Sequence, residues 1–359
     1  MRRDRLLGLS MATILCVGLG AWWLGSGSEA GRTKGRGAAA SGVPSAKPSA
    51  EAALEQLAPG STEVVRLDAS APRPSSGARA HLGWGRCPAC LGRPEEGEGE
   101  GETPLRLAVD AEGRTLLLDG ENERAVRLGP DGKPAGTVSL PFAPRDLTTG
   151  KNGELYLLGA NERNVTVLDA SGRPRATLPI PESVANMSRR VVVQGDDVYV
   201  ESLRGEYTLV GNTQGAAVEH PDLVAGIPMR DGRGWLSVRI VDGQPGGVHV
   251  LVVERPSEAQ RFSRLLQPSL ELEGIFLADT SLDGTIYVGL TGNAAGSTLT
   301  EGQLLCLDGA SGQVLGVATV PVSFDTEAVL DGKALDGGGV VFSVHTAAGV
   351  RVERLDCRP

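Results

Sequence analysis

Aromatic residues make up only 4% of this 359-residue chain. A core must therefore be built from Val, Leu, Ile and Ala, which are ample in a chain that is 40% hydrophobic. There is no Lys/Arg cluster and the net charge is −9, so the basic face of a nucleic-acid binder is missing. The acidity reads as solubility, and no nucleic-acid partner is expected. Signatures of common enzymes are missing too. There is no Gly-x-Ser-x-Gly elbow and no Gly-rich phosphate loop between a strand and a helix. "CPAC", Cys87 to Cys90, has the spacing of a redox motif. However, its flanks "HLGWGR" and "LGRPEEGEGE" belong to no thioredoxin-like domain. Leu91 stands where haem attachment would need His, and no second close cysteine pair exists to complete a zinc site.

What is abundant is Gly (50) and Pro (22), about a fifth of the chain and well above average usage. That composition predicts many turns between short strands.

The N-terminus carries the one long apolar run. Arg2, Arg3 and Arg5 precede Leu6 to Leu24, which is long enough to span a bilayer as a helix. The arginines would stay in the cytoplasm, with Trp22 and Trp23 at the far interface. Residues 1–25 therefore read as a transmembrane anchor crossing the inner membrane through residues 6–24. The alternative is a signal segment cleaved at Ser28-Glu29-Ala30, although the run exceeds the roughly 7–15 residues of a usual h-region. The first reading leaves a single-pass protein with its C-terminal domain in the periplasm. The second leaves a secreted or periplasmic one. Cys16 is read as a membrane-buried thiol.

Residues 26–61 are a Gly/Ala/Ser/Pro linker that cannot bury enough apolar surface to fold alone. "PEEGEGEGE", Pro94 to Glu102, reads as a solvated, self-repelling linker. A calcium site would hold its ligands on a rigid turn.

The folded part announces itself by repetition. "RTLLLDGENERAVRLGPDGKP" follows Gly113, and "ELYLLGANERNVTVLDASGRP" follows Gly153, 40 residues on. Gly132 and Gly172 keep the same interval. Each unit has strand-length runs joined by hairpin-type turns, and a period near 40 points to propeller blades. Weaker copies cover Gln194 to Val218, Asp231 to Pro256, Leu282 to Pro321 and Gly337 to Asp356, giving about six units. Runs such as "LLLD" and "VVF" do not alternate, as strands covered on both faces need not. The gaps after Pro181 and Pro256 read as loop insertions.

Asp119-x-x-Asn122-x-Arg124, followed by "AVRLGPDGKP", resembles the NHL repeat. The resemblance covers residues 105–181, where the second unit keeps Asn161 and Arg163 but has Leu158 in place of the Asp. It implies a β-propeller and little about function. Asp119, Asn122, Arg124, Asn161 and Arg163 are read as structural, holding turns and pairing locally.

The expected fold is all-β: a single β-propeller of about six blades over residues 102–359, after a pre-propeller segment at 62–101. A ring of blades needs its ends joined. "TEVVRLDAS" from Thr62 is the candidate closing strand, with residues 62–68 completing the C-terminal blade.

Outside the membrane run the cysteines are Cys87, Cys90, Cys306 and Cys357. An even number outside the cytoplasm suggests disulfides, with three pairings open. His220, His249 and His345 fall in different units, as the metal ligands of a channel lyase would. A lone strand histidine is more ordinarily a packed residue, and no cofactor is implied. The favoured function is binding, as a module for an envelope protein or glycan. A propeller hydrolase or lyase with a metal-assisted channel site is the alternative.

Overall fold

The computed structural model describes residues 62–67, 78–93 and 106–358, apart from 160–162, 220, 222, 225, 242–246, 295–296 and 325–326. The anchor, the tether and the acidic linker at 94–102 lie outside the described residues. No helix among those described is long and apolar enough to cross a membrane.

Six antiparallel four-stranded sheets form a propeller, one of them carrying a fifth, parallel strand. The inner strands of blades 1 to 6 are Leu107–Val109, Pro144–Thr149, Ser188–Gln194, Ile227–Pro228, Leu270–Thr280 and Ala328–Ala334. A single helical turn, Glu182–Ala185, joins blades 2 and 3.

The core is a set of six seams, one between each pair of neighbouring blades. In blade 1, Leu116 and Leu118 enter the seam with blade 2, whereas Leu117 enters the seam with blade 6. In blade 2, Leu155 and Leu157 face blade 1, and Tyr156 and Leu158 face blade 3. Successive side chains point to opposite faces of a strand, and both faces here are dry. That is why these runs are apolar without a break. Thr115–Asp119 and Leu155–Gly159 are buried at every position.

Two expectations need correction. The gaps after Pro181 and Pro256 are strands, not insertions. The first holds the inner strand of blade 3, and the second holds Gln260–Gln267, the fourth strand of blade 4, and the inner strand of blade 5. Their polar residues disguise them, because inner strands border the channel and outer strands border solvent.

The ring is closed, but not by residues 62–68. Ala78–Gly83 pairs antiparallel with Gly349–Leu355, with Leu82 opposite Val350 and Gly83 opposite Gly349. Leu82 is 1% exposed and joins Leu91, Leu107, Val350 and Val352 in the seam between blades 6 and 1. The propeller thus draws on chain well before residue 102. Glu63–Arg66 lies instead as the fifth strand of blade 4, parallel to Gln260–Gln267. It is held by Glu63 paired with Arg264 at 3.3 Å, the Thr62 and Ser263 hydroxyls 2.9 Å apart, and Val65 and Leu67 packed on the seam with blade 5.

Candidate functional site

The channel is organised by polar side chains that bridge every seam. Thr149 Oγ1 donates to Val109 O across blades 2 and 1 at 2.8 Å. Asp146 Oδ2 accepts from Val191 N across blades 2 and 3 at 2.7 Å. Gln194 Nε2 donates to Arg230 O, and Thr280 Oγ1 accepts from Arg230 N, both at 2.8 Å, tying blade 4 to its two neighbours. Asp279 Oδ2 accepts from Ala334 N, and Asp331 Oδ2 from Leu107 N, each at 3.0 Å. Charge-assisted bonds from carboxylates to backbone N–H groups are the stronger kind. The three aspartates thus fix the spacing of inner strands that have no ladder between them. Sequence reasoning missed them. The available signal was Asp within strand-length runs ("PRDL", "LADT"), where Asp is depleted.

Cations surround these carboxylates. Arg190 Nη2 lies 3.3 Å from Asp331, and Arg106 Nε lies 3.9 Å from Asp146. Burial pushes the Asp146 carboxyl up to about 6, against the pull of Lys333, Arg106 and Arg190 and with the repulsion of Asp331. Burial also works against the Arg190 charge, but Asp331, Glu201 and Asp146 outweigh it and hold the guanidinium protonated.

A raised carboxyl pKa means that the native state takes up a proton before the unfolded chain does. The cost of the buried charge is therefore present above about pH 6 and disappears as pH falls toward the unfolded value near 4. Asp146→Asn keeps an acceptor for Val191 N. Its melting temperature should match or exceed that of the parent at pH 8, and the gap should close by about pH 4. A variant that is less stable at pH 8 would show that the ion pairs outweigh burial.

The two mouths of the channel differ. Where the inner strands end, a cavity of about 400 Å³ holds Arg230, which is bonded to Asp336 at 2.8 Å and to Asp279 at 3.3 Å. Where they begin, a cavity of about 530 Å³ opens among blades 1, 3, 4 and 5. Blade 4 creates it. Its inner strand has only two residues, paired to Leu236 and Trp235, but its second strand runs for eight, Gly234–Val241. Ser237, Val238 and Arg239 therefore lack a covering strand and wall a recess. Arg106, Arg189, Arg190, Arg204 and Arg239 line it against Glu201 and Glu206. Arg189 pairs with Glu201. Arg204 and Arg239 are exposed, and their side chains have no acidic partner among the described residues. The Nε atoms of Arg106 and Arg189 are buried without hydrogen-bond partners among the described residues, and burial, helped by the neighbouring Glu201 carboxylate, raises the pKa of the Tyr207 phenol.

The residues singled out in the sequence lie elsewhere. Asp119 is 1% exposed. It receives Gly92 N at 2.9 Å, Asn122 Nδ2 at 2.8 and 3.0 Å, and Arg124 Nε at 2.8 Å. Arg124 Nη2 continues to Cys87 O at 2.9 Å and Cys90 O at 2.7 Å. The first repeat motif therefore docks the CPAC loop on blade 1. Arg163 pairs with exposed Glu182 at 3.0 Å, and Asn161 lies outside the described residues.

Cys87 bonds to Cys90 within the loop, and Cys306 bonds to Cys357. The second bridge ties blade 5 to the chain beyond the last strand across a separation of 51 residues, worth about 4 kcal/mol in the chain-entropy model. It lies beside Gly316, where a Cβ would come within 1.9 Å of Cys357 O.

The histidines are not brought together. His249 is in a middle strand of blade 4, with Nε2 2.8 Å from Ser263 Oγ. Burial, helped by Arg239, lowers its pKa. His345 is in a middle strand of blade 6, its ring 5.2 Å from that of Trp84. His220 lies outside the described residues. Among those described, no three His, Cys, Asp or Glu are grouped to hold a metal ion.

No protein-family model matches the chain, and no curated protein matches it. Solved structures do match in architecture. A member of the DUF4221 family from Bacteroides vulgatus aligns with 70% of this chain and 92% of its own at 7% identity and a TM-score of 0.46. A streptogramin B lyase aligns with 73% of this chain and 95% of its own at 9% identity and a TM-score of 0.40. A catalytically inactive virginiamycin B lyase from Staphylococcus aureus, solved with quinupristin, aligns with 72% of this chain and 83% of its own at 13% identity and a TM-score of 0.40. The chain's own six sheets make it a six-bladed β-propeller.

Proposed function

We propose that this chain is an extracytoplasmic β-propeller, anchored in the inner membrane through residues 6–24, that serves as a binding module for an envelope protein or glycan. The observation that carries the reading is the recess at the start of the inner strands, where Arg204 and Arg239 are exposed and have no acidic partner among the described residues. A concave recess with a few convergent polar side chains is the usual form of a ligand site. The two disulfides are consistent with an oxidising compartment. No specific observation favours the hydrolase or lyase alternative.

Two measurements test this. A reporter fused after Pro359 should be active only outside the cytoplasm. A photoreactive residue in place of Leu203, which is 63% exposed beside Arg204, should crosslink to an envelope component in intact cells. The same residue at exposed Ser311, in a blade 5 turn, should not. Cytoplasmic reporter activity, or equal crosslinking from both positions, overturns the reading.

A further inference from the structure

We infer that the Cys87–Cys90 bridge is a thiol–disulfide exchange centre that takes two electrons from a dithiol on a partner chain, an activity independent of what the recess binds. The two bridges of this protein are built for different tasks. Cys306 and Cys357 are both fully buried, and their bond closes a span of 51 residues. A long closed loop is where a disulfide constrains the unfolded chain most. Cys87 and Cys90 are only three residues apart, with Cys87 exposed and Cys90 half-buried. So short a loop gains least from closure, and exposed bridges are the ones open to exchange.

The loop is also held without its bridge. Leu91 N donates to Gly83 O at 3.0 Å, Gly85 N to Leu91 O at 2.8 Å, and Cys90 N to Cys87 O at 3.0 Å. Asp119 holds Gly92 N, and Arg124 holds the Cys87 and Cys90 carbonyls. None of these bonds uses sulfur. The backbone can therefore keep its shape while the S–S bond opens, and the two thiols stay placed to close again. Arg124 sets a guanidinium beside both cysteines, and exposed Arg86 adjoins Cys87. Asp119 offsets part of the Arg124 charge, and Arg86 adds to it. Cations near a thiol favour its thiolate. On the Gly85 side no side chain covers Cys90, whose Sγ would lie 3.8 Å from a Cβ placed there. A hollow of about 460 Å³, bordered by Arg86, Glu121 and Glu123, opens beside the loop and gives a partner chain a seat next to Cys87.

In the first step a partner thiolate attacks Cys87 Sγ. A mixed disulfide forms, the Cys87–Cys90 bond breaks, and Cys90 leaves as a thiolate that takes a proton from water. The partner's second thiolate then attacks its own sulfur in the mixed disulfide and releases Cys87 as a thiolate. The partner loses two electrons and two protons, and the CPAC pair gains them. A second disulfide compound reoxidises the pair by the same two steps in reverse.

The test uses the full-length protein in detergent with Cys16→Ala, which removes the one cysteine outside the two bridges. It is mixed with oxidised glutathione and a synthetic peptide whose two cysteines flank two glycines. The protein should speed peptide oxidation at least about tenfold over the uncatalysed rate. The double change Cys87→Ala with Cys90→Ala should return the rate to background and keep the parent melting temperature. Cys90→Ala alone should stall with glutathione or peptide bound to Cys87, as peptide mapping by mass spectrometry would show. No acceleration by the parent, or equal acceleration by the double variant, overturns the inference. A melting temperature lowered as far by reducing Cys87–Cys90 alone as by reducing Cys306–Cys357 would mark the bridge as a staple, and it overturns the inference too.

Discussion

Leu82→Ala should destabilise the propeller by about 2–5 kcal/mol, the usual range for emptying a buried leucine site. Leu82 is 1% exposed in the seam between blades 6 and 1, on the strand that closes the ring. Against a typical total stability of about 5–15 kcal/mol, that is a large fraction. Leu82→Asp should abolish the cooperative melt, because it buries an unpaired charge and detaches Ala78–Gly83. Without that strand, Gly349–Leu355 is left with an open edge. The contrasting change is Val64→Asp on Glu63–Arg66. Val64 is 49% exposed, so the melting temperature should shift by no more than an ordinary surface substitution, within about 0.5 kcal/mol. Thermal melts of the full-length protein followed by circular dichroism decide the matter. If Leu82→Ala melts with the parent while Val64→Asp does not, the ring depends on the fifth strand of blade 4.

Asp119→Ala should cost about 3–5 kcal/mol, the range for removing one partner of a buried ion pair. The carboxylate has no solvent to fall back on and accepts from Gly92, Asn122 and Arg124 at once. Its loss strands the Arg124 guanidinium, whose side chain is 15% exposed, and releases the two cysteine carbonyls that Arg124 holds. A second readout follows from the geometry. With its dock gone, the Cys87–Cys90 bridge should be reduced faster by dithiothreitol, whereas buried Cys306–Cys357 should keep its parent rate. Asp119→Asn separates charge from shape. The amide can serve Gly92 N but presents its own donors to Arg124 or Asn122, so most of the loss should remain. Urea midpoints for both variants that match the parent would remove the motif from the stability of the fold.

The repeat was legible because it is local. Gly113 and Gly153, and Gly132 and Gly172, punctuate hairpins whose turns need glycine at positive φ. Between them, burial on both faces makes runs such as "TLLLD" apolar throughout. The inner strands were harder to read. Ser188–Gln194 contains two arginines and Leu270–Thr280 contains three carboxylates, because one border of each is the polar channel. The Asp119, Asn122 and Arg124 motif could be read as structural, but its real task, gripping the CPAC loop, depends on residues 34 and 37 positions away.

By itself the sequence determined the class of fold, the blade period, the four cysteines of the folded part and the apolar run near the N-terminus. These are written in near-neighbour patterns: turn glycines, strand-length runs and charge flanking an apolar stretch. Only the tertiary structure decided which strand closes the ring, how the cysteines pair, which aspartates stitch the blades and where a ligand could sit. The recess gathers Arg106, Arg189 and Arg190, Arg204, Arg239 and Phe276 from four blades. It exists because one inner strand stops after two residues while its neighbour continues. A cavity is a property of surfaces that meet after folding. No spacing along the chain encodes it, since its walls become neighbours only when the ring closes.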